Sequence, residues 1–199
     1  MTPDEFLAWN ERQELSYEYE NGFPVLRDPV PDPRHPARMM TGASREHRTV
    51  VMNIATALRP QVRGTGCRVD ASDGAVWTLE DKFRYPDVMV SCEPEPDDRF
   101  KERPFLVFEV ISPGSALQDA TTKKREYEQA PSVRFYILVD PLRMHVVLYE
   151  RAEGDWAMTS MTSLDDRIVI DAPPLSLSLA DIYDEMDPLP PHPDPTGLD

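Results

Sequence analysis

The chain has 199 residues, 40% of them hydrophobic, and a formal net charge of −15. That length suits one well-buried domain and argues against two independent cores. The acidity excludes a broadly basic nucleic-acid-binding surface, although a local basic patch can sit on an acidic body.

Thr2-Pro3-Asp4-Glu5 is a helix start, with Thr2 as N-cap, Pro3 at the first helical position and Glu5 completing a capping box. Phe6, Leu7 and Trp9 supply the apolar face of that helix. Tyr17-Glu18-Tyr19 and Phe23-Pro24-Val25-Leu26 flank Asn21-Gly22, which predicts a hairpin. Pro24 assigns its second strand to a sheet edge. Arg27 to Thr41 carries four prolines and is expected to be an exposed, mobile loop. From Ser44 onward, Val50, Val51, Ile54, Ala55, Leu58 and Val62 fall at helical spacing, with Gly64 as the stop.

Strands follow. Cys67 to Ala71 and Ala75 to Leu79 flank Ser72-Asp73-Gly74, which predicts a second hairpin. Asp87 to Ser91 is a strand, followed by an acidic loop containing Pro94 and Pro96. Phe105 to Ile111 is the most continuously apolar segment and is expected to be a central strand covered on both faces. A helix is expected from Asp119 to Ala130, then strands at Phe135–Val139, Met144–Glu150 and Trp156–Met161. Pro173-Pro174 breaks this meander, and Leu175 to Met186 adds a short strand and a helical turn.

The pattern predicts a mixed α/β domain over residues 1–186, with a central sheet flanked by helices and extra antiparallel strands at the C-terminal side. Residues 187–199 have the Pro- and Asp-rich composition of a disordered tail. No apolar run reaches the roughly 20 residues that span a bilayer, and the acidic N-terminus lacks a basic leader region. Cys67 and Cys92 are distant in sequence and read as reduced thiols. A cytoplasmic protein without membrane contact is therefore expected.

One constellation carries chemistry. Asp87 stands directly before an apolar strand, Glu109 lies near the exit of the next, and Lys123 and Lys124 sit on the following helix. Hard divalent cations such as Mg²⁺ take oxygen ligands and keep several waters, so two carboxylates are enough to hold one. The Val110 carbonyl, at the exiting strand, is a further oxygen donor. A cation so held makes bound water more acidic, and an adjacent ammonium adds positive charge where a transition state becomes negative. The bland alternatives are equally concrete. Asp87 can simply cap backbone N–H groups at a turn, and Glu109 can pair with Arg84 or Lys123, since an unpaired buried carboxylate costs several kcal/mol. Ser112 lacks the Gly-x-Ser-x-Gly setting of a serine hydrolase, and no phosphate-binding Gly loop is present.

Pro86-Asp87, the strand ending in Glu109, and the downstream lysine resemble the PD-(D/E)XK nuclease superfamily. More closely, the chain resembles the Uma-two restriction-endonuclease family, from about Met1 to Pro188. The most specific part is Glu109-Val110-Ile111-Ser112-Pro113, with Asp119, Lys123 and Tyr127, then Val139-Asp140-Pro141. Tyr17-Glu18, Gly22 and His47 also fall at family positions. Ile111 occupies the place where the superfamily usually carries its lysine, and the family resemblance assigns that role to Lys123. Asn21 and Phe23 stand where the family hairpin is usually acidic.

The resemblance implies a restriction-endonuclease-like fold and Mg²⁺-dependent cleavage of DNA, with Mn²⁺ as a substitute cation. Asp87 and Glu109 would be ligands and Lys123 the residue that positions hydroxide. Glu18, His47 and Lys124 would be accessory, and a homodimer is possible by analogy. A different class of function also fits: an inactive nuclease fold kept as a binding or regulatory module, with structural carboxylates.

Overall fold

The computed structural model describes residues 1–15, 17–26, 44–71, 74–79, 82–92, 103–111 and 119–190. The expected loop at 27–41, the acidic loop after Cys92, Ser112-Pro113 and residues 191–199 of the expected 187–199 tail lie outside those residues.

The Thr2 capping box forms as expected and starts α1 (Pro3–Asn10). The Thr2 hydroxyl accepts from the Glu5 N–H at 3.2 Å, and the Glu5 carboxylate accepts from the Thr2 N–H at 2.7 Å. Strands β1 (Tyr17–Glu20) and β2 (Phe23–Leu26) make the predicted hairpin. Asn21 and Gly22 both take positive φ (51° and 85°), as a two-residue turn of this hand requires. Pro24 lies on β2, at the edge of a four-stranded sheet ordered β2-β1-β5-β4, where β4 is Val76–Leu79 and β5 is Lys82–Arg84. Phe6 and Leu7 of α1 pack on Tyr19 and Phe83 of this sheet.

Ser44 caps α2 (Arg45–Leu58), its hydroxyl accepting from the His47 N–H at 3.2 Å. The helix ends at Leu58 and not near Gly64; Arg59 keeps helical dihedrals, but Pro60 has no N–H to donate to the helical ladder. Val62 is still buried in the turns that follow.

The main sheet has six strands in the order β10-β9-β8-β7-β6-β3. These are β3 (Arg68–Ala71), β6 (Val88–Ser91), β7 (Leu106–Val110), β8 (Phe135–Asp140), β9 (His145–Ala152) and β10 (Asp155–Met161). Only β7 and β8 run parallel; the other neighbours are antiparallel. The β7–β8 crossover carries a π-helical turn, Asp119–Lys123, which continues into α3 (Lys124–Gln129). All five residues of β7 are buried, as a central strand covered on both faces should be.

Alternation along the strands divides the core. Val88, Val90, Leu106, Phe108 and Val110 face Val50, Ile54 and Leu58 of α2. The intervening Met89 and Val107 face Tyr127 of α3, with Tyr136 and Leu138. The hairpin of β11 (Arg167–Ile170) and β12 (Leu175–Ser178), followed by α4 (Leu179–Ile182), closes the first of these cores. The mixed α/β architecture thus matches the sequence expectation, helices on both sheet faces included.

Three further expectations need correction. β3 and β4 are not a hairpin: β3 pairs with β6 in the main sheet and β4 with β5 in the other. The chain passes between sheets at that point, which a local turn signature cannot reveal. Cys67 and Cys92 are not free thiols but a disulfide. Arg68 pairs with Ser91 across β3 and β6, so the cysteines meet one step further along, with Cα atoms 3.9 Å apart. Strand pairing closes the 25-residue separation, and the free-thiol argument for a cytoplasmic location falls with it. Finally, the expected tail boundary is too early. Leu189 bridges to Arg143, with its N–H donating to the Leu142 carbonyl at 2.8 Å. Among the described residues, no helix is long and apolar enough to cross a membrane.

Candidate metal and hydrolytic site

The site lies where β6 begins and β7 ends. Val88 pairs with Phe108, so the antiparallel register sets Asp87 across from Glu109 at the next step. Both carboxylates are nearly buried, Asp87 at 8% and Glu109 at 3% exposure, so each needs partners. Asp87 Oδ2 accepts a 2.8 Å hydrogen bond from the Val110 N–H and lies 3.3 Å from His47 Nε2. Asp87 therefore does cap a backbone N–H, as the simpler sequence reading allowed, but that group belongs to the neighbouring strand. Val110 closes β7, which sets its backbone beside both acids.

Glu109 is held from α3 and the turn before it. Lys123 Nζ lies 3.3 Å from Glu109 Oε2, and the Tyr127 hydroxyl donates to Oε1 at 3.2 Å. Lys123 and Tyr127 are four positions apart, so one helical face delivers both donors. Of the two partners open to Glu109 in the sequence, Arg84 and Lys123, the second is the one it takes. Burial pushes the Tyr127 hydroxyl well above its ordinary pKa, reinforced by the Glu109 charge, so it remains a donor.

The accessory candidates divide. His47 joins the site through Asp87; its Nδ1 is buried with no hydrogen-bond partner among the described residues. Lys124 turns elsewhere, pairing with Glu128 and lying 4.7 Å from the Tyr149 ring centre. Asp140 caps its own turn, accepting from the Leu142 and Arg143 N–H groups. The Asp119 side chain lies outside the described residues.

Glu18 belongs to a cluster that sequence reasoning missed. Arg84, with no exposed surface, donates to Glu18 Oε2 at 2.6 Å and to both oxygens of Glu126, at 2.6 and 2.8 Å. Its third carboxylate neighbour is Glu20 at 3.4 Å, and Lys82 bridges Glu20 and Glu126 at 2.9 and 3.1 Å. Burial alone would lower the Arg84 pKa, but the Glu126 hydrogen bond and the charges of Glu18 and Glu126 raise it overall. Burial likewise favours neutral Glu126, yet Arg84 reverses this and holds its pKa below the ordinary 4.5. The available signal was Lys82 and Arg84 at alternate positions of a strand, both facing one acidic hairpin. The cluster ties β1 and β5 to α3, one residue from Tyr127. Glu18 Oε1 remains buried without a hydrogen-bond partner among the described residues.

Among the described residues, no three His, Cys, Asp or Glu side chains converge as a metal cage. A cation here would have two side-chain carboxylates at most and would complete its shell with water and substrate oxygens, which suits Mg²⁺ better than a closed structural metal.

A family model described as "Putative restriction endonuclease" (Uma2) matches residues 3–181. The chain belongs to the Uma2 family. The match runs from α1 into α4 and includes every residue of the Asp87–Glu109–Lys123 group. A Synechocystis sp. (strain ATCC 27184 / PCC 6803 / Kazusa) protein named "Uncharacterized protein slr1290" is 28% identical over 187 residues, covering 92% of this chain and 91% of its own. The Uma2 domain therefore accounts for nearly all of the described fold.

Proposed function

We propose that this Uma2 chain is a Mg²⁺-dependent endonuclease that hydrolyses DNA phosphodiester bonds with activated water. The observation that carries this reading is the Lys123 ammonium 3.3 Å from Glu109, beside a second acid at the end of the adjacent strand. The donor set fits a hard cation: two carboxylates paired across a strand end, with backbone alongside. When bound, Mg²⁺ would acidify a water and offset charge on the phosphate under attack.

The protein's own groups would do the rest. Asp87 and Glu109 supply the oxygen ligands. The Val110 N–H and Tyr127 hydroxyl fix their orientation, as outer partners of ligands commonly do. Lys123 orients the attacking hydroxide and stabilises developing negative charge. His47 Nε2 stands beside Asp87 and supports that ligand from behind. No covalent enzyme intermediate is required, because water attacks phosphorus directly.

One observation favours a second reading. Glu109 is already satisfied by Lys123 and Tyr127, and Asp87 by Val110 and His47, as expected of structural acids in a non-catalytic binding module. Calorimetric titration with Mg²⁺ and Mn²⁺ separates the two. The nuclease reading requires binding that Asp87→Ala and Glu109→Ala abolish, and plasmid nicking that needs both Mg²⁺ and Lys123. Binding without nicking leaves a metal-stabilised module, and absence of both ends the enzymatic reading.

A further inference from the structure

Acids outnumber bases in this chain, 36 to 21, yet one segment has the opposite sign. From Arg45 to Arg63 it carries four arginines, Arg45, Arg48, Arg59 and Arg63, against one acid, Glu46. That acid is occupied at the helix cap, its carboxylate engaged by its own backbone N–H and by Ser44.

Spacing gathers the arginines on one side of α2. Val50, Ile54 and Leu58 face the core. Arg45, Arg48, Met52, Thr56 and Arg59 recur at intervals of three and four, so they form one ridge, and all five are exposed. Arg63 is exposed in the turns that follow. A merely solvated face mixes both signs; this one carries a single sign on an acidic body. The ridge also starts at the candidate site. Arg48 follows His47, whose Nε2 lies 3.3 Å from Asp87.

We propose that the outer ridge of α2 is the backbone-contact surface for the DNA duplex flanking the phosphate at Asp87 and Glu109. The identity of the ligand rests on the nuclease reading; the choice of face rests on charge. With a net charge of −15, most of the surface repels a polyanion, so a duplex is steered to the basic strip. From Arg45 to Arg59 the ridge runs about 21 Å at 1.5 Å per residue. That is roughly six steps of a duplex whose phosphates repeat every ~3.4 Å along each strand. Arginines at both ends of the ridge can therefore meet phosphates of one duplex, and the guanidinium fork suits phosphate oxygens. Contacts of this kind fix the direction of a duplex without reading its sequence.

Fluorescence anisotropy in EDTA, which withholds the metal and so prevents cleavage, tests the ridge alone. For a labelled duplex of about 20 base pairs, log K should fall against log salt with a slope of about −3 to −4, as four phosphate contacts require. Replacing two exposed residues together, Arg45→Gln with Arg59→Gln, should reduce that slope by about 2 and weaken binding about 10-fold or more, with an unchanged thermal midpoint. Arg12→Gln, at an exposed position after α1, should change neither. A wild type that binds the duplex by this ridge but never nicks a plasmid ends the nuclease reading and leaves the ridge standing. Absence of duplex binding, a wild-type slope in the double variant, or an equal loss in Arg12→Gln would each overturn the proposal. So would binding to phosphatidylserine vesicles with none to the duplex, which would make the ridge a membrane contact.

Discussion

Lys123 and Tyr127 divide Glu109 between them, the amine 3.3 Å from Oε2 and the hydroxyl 3.2 Å from Oε1. Neither donor neighbours the acid in sequence. A crossover to the next parallel strand returns them over the sheet face that Glu109 occupies.

That division has a stability signature. Lys123→Met removes a cationic partner from a buried carboxylate and should cost about 3 kcal/mol, in line with breaking a buried ion pair. Glu109→Gln combined with Lys123→Met should recover most of that loss, since neither charge then remains. Urea denaturation of the two single variants and the double variant measures the coupling. Additive losses would show that the pair does not interact.

Tyr127→Phe keeps the ring, whose centre lies 5.0 Å from that of Tyr136, and removes only the donor to Glu109. A hydrogen bond to a charged group contributes roughly 1.5–3 kcal/mol, so a loss in that range is expected. On the proposed function, Mn²⁺ affinity should also fall about 10-fold or more, as when a group orienting a ligand is lost. Denaturation and calorimetry on one preparation read both effects.

The Arg84 cluster predicts a pH dependence. Glu126 and Glu20 have folded pKa values below their ordinary 4.5, Glu126 because Arg84 outweighs burial and Glu20 chiefly through Lys82. Their stabilisation is complete above 4.5 and is lost as pH falls through the lower folded values. Arg84→Met should cost about 3–5 kcal/mol near neutrality, because it strands buried carboxylates. It should also flatten or reverse the acid limb, since protonation then relieves those carboxylates. Thermal midpoints between pH 3 and pH 7, in steps of about half a unit, distinguish the two profiles.

The Cys67–Cys92 bond closes a 25-residue separation and should contribute about 3 kcal/mol on the loop-entropy account. Adding reductant, or substituting both cysteines with serine, should lower the thermal midpoint. Alkylation before reduction, followed by intact-mass measurement, should find no accessible thiol. Two labelled cysteines would refute the bridge.

Local chemistry was readable from the sequence wherever the interaction is local. The Thr2 capping box, the Asn21-Gly22 turn and the buried run of β7 are all set by residues within a few positions. The assignment of β7 to the sheet centre needed only its unbroken apolar character. What escaped was decided by strand pairing. Cys67 and Cys92 meet because β3 lies beside β6, and Ser72-Asp73-Gly74 looks like a hairpin turn although its flanking strands enter different sheets. The candidate acids could be picked out as carboxylates bordering apolar strands. For Arg84 the alternation with Lys82 was the one local hint, because its partners Glu18 and Glu126 lie 66 and 42 positions away.

The buried arginine makes the first hairpin a brace for the catalytic candidate. Through Glu18 on one side and Glu126 on the other, Arg84 fastens the N-terminal strands to the helix that carries Tyr127 and follows Lys123. Removing the opening segment would therefore do more than shorten the chain: it would unmoor that helix and leave a guanidinium in the interior short of counter-charge. The amine that faces Glu109 stands just before a helix that the first hairpin helps to hold down.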